Sequence, residues 1–83
     1  MNYESLGARC LTLRDLRLIE SKPEEDRTVW ILLRGVVDEN GERAYSDEDS
    51  DRILDMPLPT VKRLTTDIVD LSGLGDDDPE KKG

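Results

Sequence analysis

Val29-Trp30-Ile31-Leu32-Leu33-Arg34-Gly35-Val36-Val37 is the stretch that decides the fold. Val29, Leu33, Val36 and Val37 recur at i, i+4, i+7 and i+8, the spacing of one helical face, and Trp30, Ile31 and Leu32 fill the gaps between them. So continuous an apolar run predicts a central helix touched from several sides. Its β-branched content keeps a strand open as the alternative. The residues just before it favour the helix. Ser21-Lys22-Pro23-Glu24-Glu25-Asp26 offers a capping serine, a proline suited to a first turn, and three acids opposing the positive end of the helix dipole. Asp38-Glu39-Asn40-Gly41 closes the stretch as a tight turn, with Asn40-Gly41 suited to positive φ.

Working outward, Thr12 caps a short helix ending near Ser21. Asp15, three residues on, completes a variant capping box, and Leu13, Leu16 and Ile19 form the apolar stripe. Beyond the turn, residues 42–46 run extended through Ala44 and Tyr45. Ser46-Asp47-Glu48-Asp49 then reads as a second boxed helix start, with Ile53, Leu54 and Met56 as its apolar contacts. Pro57 and Pro59 break that helix. A last one begins near Pro59 or Thr60, carries Val61, Leu64, Ile68 and Leu71 on one stripe, and ends at a left-handed Gly73.

The expected architecture is mainly α: a single domain, a bundle of three to four short helices with a tight turn near 38–41. Residues 1–11 are expected to be loosely ordered, 12–74 to form the helical domain, and 75–83, which hold no apolar side chain, to be a disordered acidic tail.

At 83 residues the chain holds one domain with a thin core. Its aromatics are Tyr3, Trp30 and Tyr45, so Leu, Val and Ile must make that core. A homo-oligomer, or folding completed on a partner, is then a live expectation. The net charge of −8 argues against nucleic acid and anionic membrane surfaces. No run approaches the roughly 20 apolar residues of a membrane span. Met1–Cys10 lacks the basic start and apolar block of a secretory signal, which suggests a cytoplasmic protein.

Chemistry is sparse. No histidine is present, which removes the commonest general base and metal ligand. Cys10 is the one cysteine; with no base to activate it, it reads as a small apolar residue in or near the core. Residues 38–55 hold eight acids against two arginines, a net −6. They do not make a calcium loop: with Gly41 at position 6, Val36 falls at position 1 and Asp47 at position 12. No cofactor is expected and no enzyme. Trp30 is either core or an exposed binding anchor.

One resemblance adds a function. Val36-Val37-Asp38-Glu39-Asn40-Gly41-Glu42-Arg43-Ala44-Tyr45-Ser46-Asp47-Glu48-Asp49, followed by a helix closing on Leu71-Ser72-Gly73-Leu74, is similar to a pattern of the tail assembly chaperones of siphophages. That pattern is an apolar helix end, a valine-aspartate-x-x-glycine turn, an aromatic residue, then serine/threonine-aspartate-glutamate-aspartate. The similarity covers about half the chain; Met1–Ser21 is shorter than the corresponding part of such chaperones and does not match. The resemblance implies a small, self-associating helical protein. It would bind the phage tape measure protein, keep its apolar helices soluble in the host cytoplasm, and be absent from the mature virion. Tail tube protein is a further partner, recruited by a longer form made by programmed frameshifting, and Lys81-Lys82 is compatible with an A-rich slippery site.

The apolar face for such binding is expected from Val29, Trp30, Leu33, Val36, Val61, Leu64, Ile68 and Leu71. Two alternatives remain. One is an acidic inhibitor or DNA mimic, supported by the −6 segment; the other is a small virion structural or connector protein.

Overall fold

A computed structural model describes residues 3–73, and these form a mainly helical domain with one small two-stranded antiparallel sheet. In chain order the elements are a 3₁₀ turn Tyr3–Ser5, strand β1 Gly7–Ala8, helix α1 Leu13–Glu20, a 3₁₀ turn Glu24–Asp26, helix α2 Arg27–Gly35, strand β2 Val36–Val37, helix α3 Ser50–Leu54 and helix α4 Leu58–Ser72. The expected acidic tail, with Leu74, lies outside the described residues.

The capping box predicted at α1 is present. The Asp15 backbone N–H donates to Thr12 Oγ1 at 3.2 Å, and the Thr12 N–H donates to Asp15 Oδ2 at 3.0 Å. The three acids after Pro23 fall in the 3₁₀ turn, and α2 starts only at Arg27.

α2 is helical through Gly35, and there the sequence expectation needs a correction. Val36 and Val37 do not continue the helical face. Val36 turns extended, at φ −88° and ψ 133°, and both valines pair antiparallel with Ala8 and Gly7. The physical reason is local. Glycine is a poor helix former, and two β-branched residues follow it. Groups from elsewhere then occupy the last carbonyls of the helix. Arg43 Nη2 donates to Leu33 O at 2.8 Å, Arg9 Nε to Arg34 O at 2.8 Å, and the Arg9 backbone N–H to Gly35 O at 2.9 Å. Guanidinium groups suit the negative end of a helix dipole.

Gly41 takes the positive φ expected of it, 84°. Asp38 organises the turn: its Oδ1 accepts from the N–H of Asn40 at 2.8 Å and of Glu42 at 3.0 Å. The chain then returns beside β2, with the Ala44 N–H donating to Val36 O at 3.0 Å. Only half of the box expected at Ser46 forms. The Ser46 N–H donates to Asp49 Oδ2 at 2.8 Å, but Ser46 Oγ accepts from the N–H of Glu48 at 3.3 Å. The Asp49 N–H donates to Ser46 O at 3.0 Å, which closes a turn, and α3 begins only at Ser50. In α4, Pro59 sits in the first turn and Gly73, φ 75°, provides the left-handed cap.

The core gathers Leu6, Leu32, Leu33, Val36, Tyr45, Ile53, Met56, Leu64 and Ile68. Fully burying one such aliphatic side chain contributes about 1.5–3 kcal/mol. α2 and α4 meet closely at Gly35, where a Cβ would lie 2.6–2.8 Å from three atoms of Ile68. Residues 3–11, expected to be loosely ordered, have a definite place: Leu6 is buried, β1 pairs with β2, and the Leu11 N–H donates to Ser72 Oγ at 2.9 Å.

Candidate protein-binding surface

The eight residues expected to form a binding face divide into three groups. Leu33, Val36, Leu64 and Ile68 are wholly inaccessible and belong to the core between α2, β2 and α4. Val29, Trp30 and Val61 are half-buried and pack against that core from outside. Of the eight, Leu71 alone is an exposed large apolar side chain. The helical stripes therefore point inward and hold α2 and α4 together.

Among the described residues the exposed large apolar side chains are instead Leu13, Leu54, Leu58 and Leu71. Local spacing explains three of them. Asp15 and Ile19 are the buried positions of α1, so Leu13 falls on the far side. Ile53 and Met56 face the core, so Leu54, expected to join them, is turned out and 68% exposed. Leu58 opens α4 one residue before Pro59 and is 70% exposed. The signal that could have found Leu54 and Leu58 is the pair Pro57 and Pro59, which flanks Leu58 and cuts short the helix that carries Leu54, leaving too little helix to turn every apolar residue inward.

Among the described residues Asp15 is the buried charged side chain, and no sequence pattern signalled its burial. Its Oδ2 accepts from Arg9 at 3.0 Å and its Oδ1 from Arg34 at 3.2 Å. Arg34 reaches on to Asp47 at 2.9 Å, and Arg43 also meets Asp47, at 3.0 Å. The chain Arg9–Asp15–Arg34–Asp47–Arg43 thus ties the N-terminal segment, α1, the end of α2 and the acidic loop together. Burial pushes the Asp15 carboxyl up. The hydrogen bonds from Thr12 and the charges of Arg9 and Arg34 outweigh it, so the group titrates below the ordinary carboxylate range.

Cys10 corrects a further expectation. It is exposed, not core, with Sγ 3.4 Å from Leu11 O. Trp30 is capped by Lys22, whose Nζ lies 4.4 Å from the ring centroid.

A shallow cleft of about 240 Å³ opens between Tyr3, Tyr45, Arg52 and Asp55. Tyr45 is buried, Tyr3 half-buried, and burial raises the Tyr45 hydroxyl above its usual value, helped by the neighbouring Tyr3. Beside it, hydrogen bonds from Ser46 hold the Asp49 carboxyl below the ordinary range.

Among the described residues, no group of three or more His, Cys, Asp or Glu side chains is placed to hold a metal ion, and no helix is long and apolar enough to cross a membrane. The arrangement offers surface chemistry: exposed leucines, an aromatic cleft and unpaired carboxylates. No family model, no curated protein and no solved structure matches the chain, so the case for a function stands on its own residues.

Proposed function

We propose that this chain is a non-catalytic assembly chaperone of a long-tailed bacteriophage, which binds the tape measure protein and keeps its apolar helices soluble in the cytoplasm of the bacterial host until the tail tube forms. The observation that carries this reading is the ordered run Val36–Asp49, whose residues resemble the tail assembly chaperones. In support, that run is a single structural unit: β2, the Asp38-organised turn, the return through Ala44 and Tyr45, and the Ser46–Asp49 turn pinned by Arg34 and Arg43. A holdase needs apolar surface that stays accessible while the molecule stays dispersed. Leu13, Leu54, Leu58 and Leu71 provide the first, and the net charge of −8 the second.

Co-expression with fragments of the tape measure protein from the same genome tests the reading. Fragments that pellet alone should remain soluble with the chain, and the complex should survive about 1 M salt, where screening acts within about 3 Å. Fragments that pellet equally with and without it overturn the proposal. The native gene, expressed with an N-terminal tag and its downstream bases, should also yield a minor longer product if a frameshifted form recruits tail tube subunits.

The acidic-mimic reading keeps one supporting observation. Glu39, Glu48, Asp51 and Asp55 are exposed and make no ion pair among the described residues. The fold spends Asp38, Asp47 and Asp49 on its own backbone and arginines, which leaves that array sparse. Binding to a basic enzyme that collapses with salt would favour this second reading.

A further inference from the structure

We propose that the cleft between Tyr3 and Tyr45 receives a lysine or arginine side chain presented by a basic amphipathic helix of a partner protein. This inference goes beyond the chaperone reading, because it names the chemistry of one contact whatever the partner's role.

Two tyrosines line the cleft, the half-buried Tyr3 being the more accessible and Tyr45 the buried one, and aromatic rings attract cations. The charged residues at its edge are not equivalent. Arg52 leans toward Asp49, with Nε 3.8 Å from Oδ1. Asp55 makes no ion pair among the described residues. The mouth therefore keeps one uncommitted carboxylate beside two tyrosines, a combination that suits a cationic head on a long apolar stem.

The surroundings reinforce the sign. Tyr45, Arg52 and Asp55 belong to the segment 38–55, with its eight acids against two arginines. The field of the whole chain, at −8, draws in positive partners. The apolar part of the helix has a place as well. Leu54 and Leu58, 68% and 70% exposed, lie one and three residues from Asp55. A volume of about 240 Å³ admits one long side chain and excludes a whole helix, so the helix rests outside and inserts a single residue.

The probe is a synthetic peptide of about four helical turns, with leucines at helical spacing and lysines flanking them. It is compared with versions carrying norleucine or glutamate in place of lysine, and titrated into the full 83-residue chain by NMR and fluorescence anisotropy. The lysine peptide should bind and shift the amides of Tyr3, Tyr45, Arg52 and Asp55. Asp55→Lys should weaken it about tenfold or more, while the charge-matched control Glu20→Lys changes it by about twofold or less. Tyr3→Ala should weaken it without altering the circular dichroism of the free chain. Asp55→Asn serves if the reversed charge disturbs folding. Equal losses for Asp55→Lys and Glu20→Lys would mean diffuse attraction and overturn the site. Equally tight binding of the norleucine peptide would mean apolar docking alone and overturn it too, as would shifts confined to another face.

Discussion

Gly35 and Asp15 are the two residues whose surroundings constrain them most. Gly35→Ala would improve helix propensity by up to about 1 kcal/mol. The new Cβ, however, meets three atoms of Ile68 within 2.8 Å, including the branch atoms of a side chain that is itself fully buried. Overpacking of this kind costs about 1–3 kcal/mol, so the substitution should destabilise the domain in urea titrations. Asp15→Asn keeps the shape of the side chain but strands Arg9 and Arg34. Breaking a buried pair costs about 3–5 kcal/mol, and the partial exposure of both arginines should bring the loss toward about 2–3 kcal/mol. Its pH dependence has a definite sign. The folded carboxyl titrates lower than the unfolded one, near 3.9, so its stabilisation is complete above that pH and is lost as pH falls through the folded value. Wild type and Asp15→Asn should therefore differ most near neutral pH and converge in thermal melts as the pH falls through the lowered folded value. No pattern announced either residue: an aspartate at the third position of a helix reads as a cap, and its second task depends on arginines 6 residues before it and 19 after.

At the scale of elements, what local chemistry specifies was legible. The Thr12 box, the Asp38–Gly41 turn and the Gly73 cap each involve residues within a few positions of one another, and each stands where the spacing put it. The turn offers a direct check. Asp38→Ala removes the acceptor of two backbone N–H groups and should cost about 1–2 kcal/mol, whereas Glu39→Ala, exposed beside it, should change urea stability by about 0.5 kcal/mol or less. The end of α2 was not legible in the same way. Val36 and Val37 satisfy a helical stripe and a strand equally well. The strand prevails because β1, nearly 30 residues earlier, supplies a pairing edge, and because Arg9 and Arg43 occupy the carbonyls a longer helix would have used.

At the scale of the whole molecule, the buried apolar stripes and the exposed leucines are largely different sets of residues. Leu33→Asp should unfold the domain, since a charge buried at a wholly inaccessible position exceeds about 4 kcal/mol. Leu54→Glu with Leu58→Glu should leave the melting temperature within about 4 °C of wild type, because both side chains already face water. The same pair should lose the tape measure fragments in the co-expression assay. Retention of those fragments would place the proposed working surface elsewhere, with Leu13 and Leu71 the remaining exposed large apolar side chains among the described residues.

By itself the sequence determined the helical class, the Thr12 and Gly73 caps, the turn at Asp38–Gly41, the acidic charge and the resemblance that suggests a role. These follow from near neighbours in the chain, where propensity, capping and charge act directly. Only the tertiary structure decided which apolar residues are buried in the fold and which remain exposed. A stripe at i, i+3, i+7 states that one face avoids water. Whether another part of the chain or another molecule covers it depends on contacts between distant residues, as when Gly35 admits Ile68 and the two stripes close on each other.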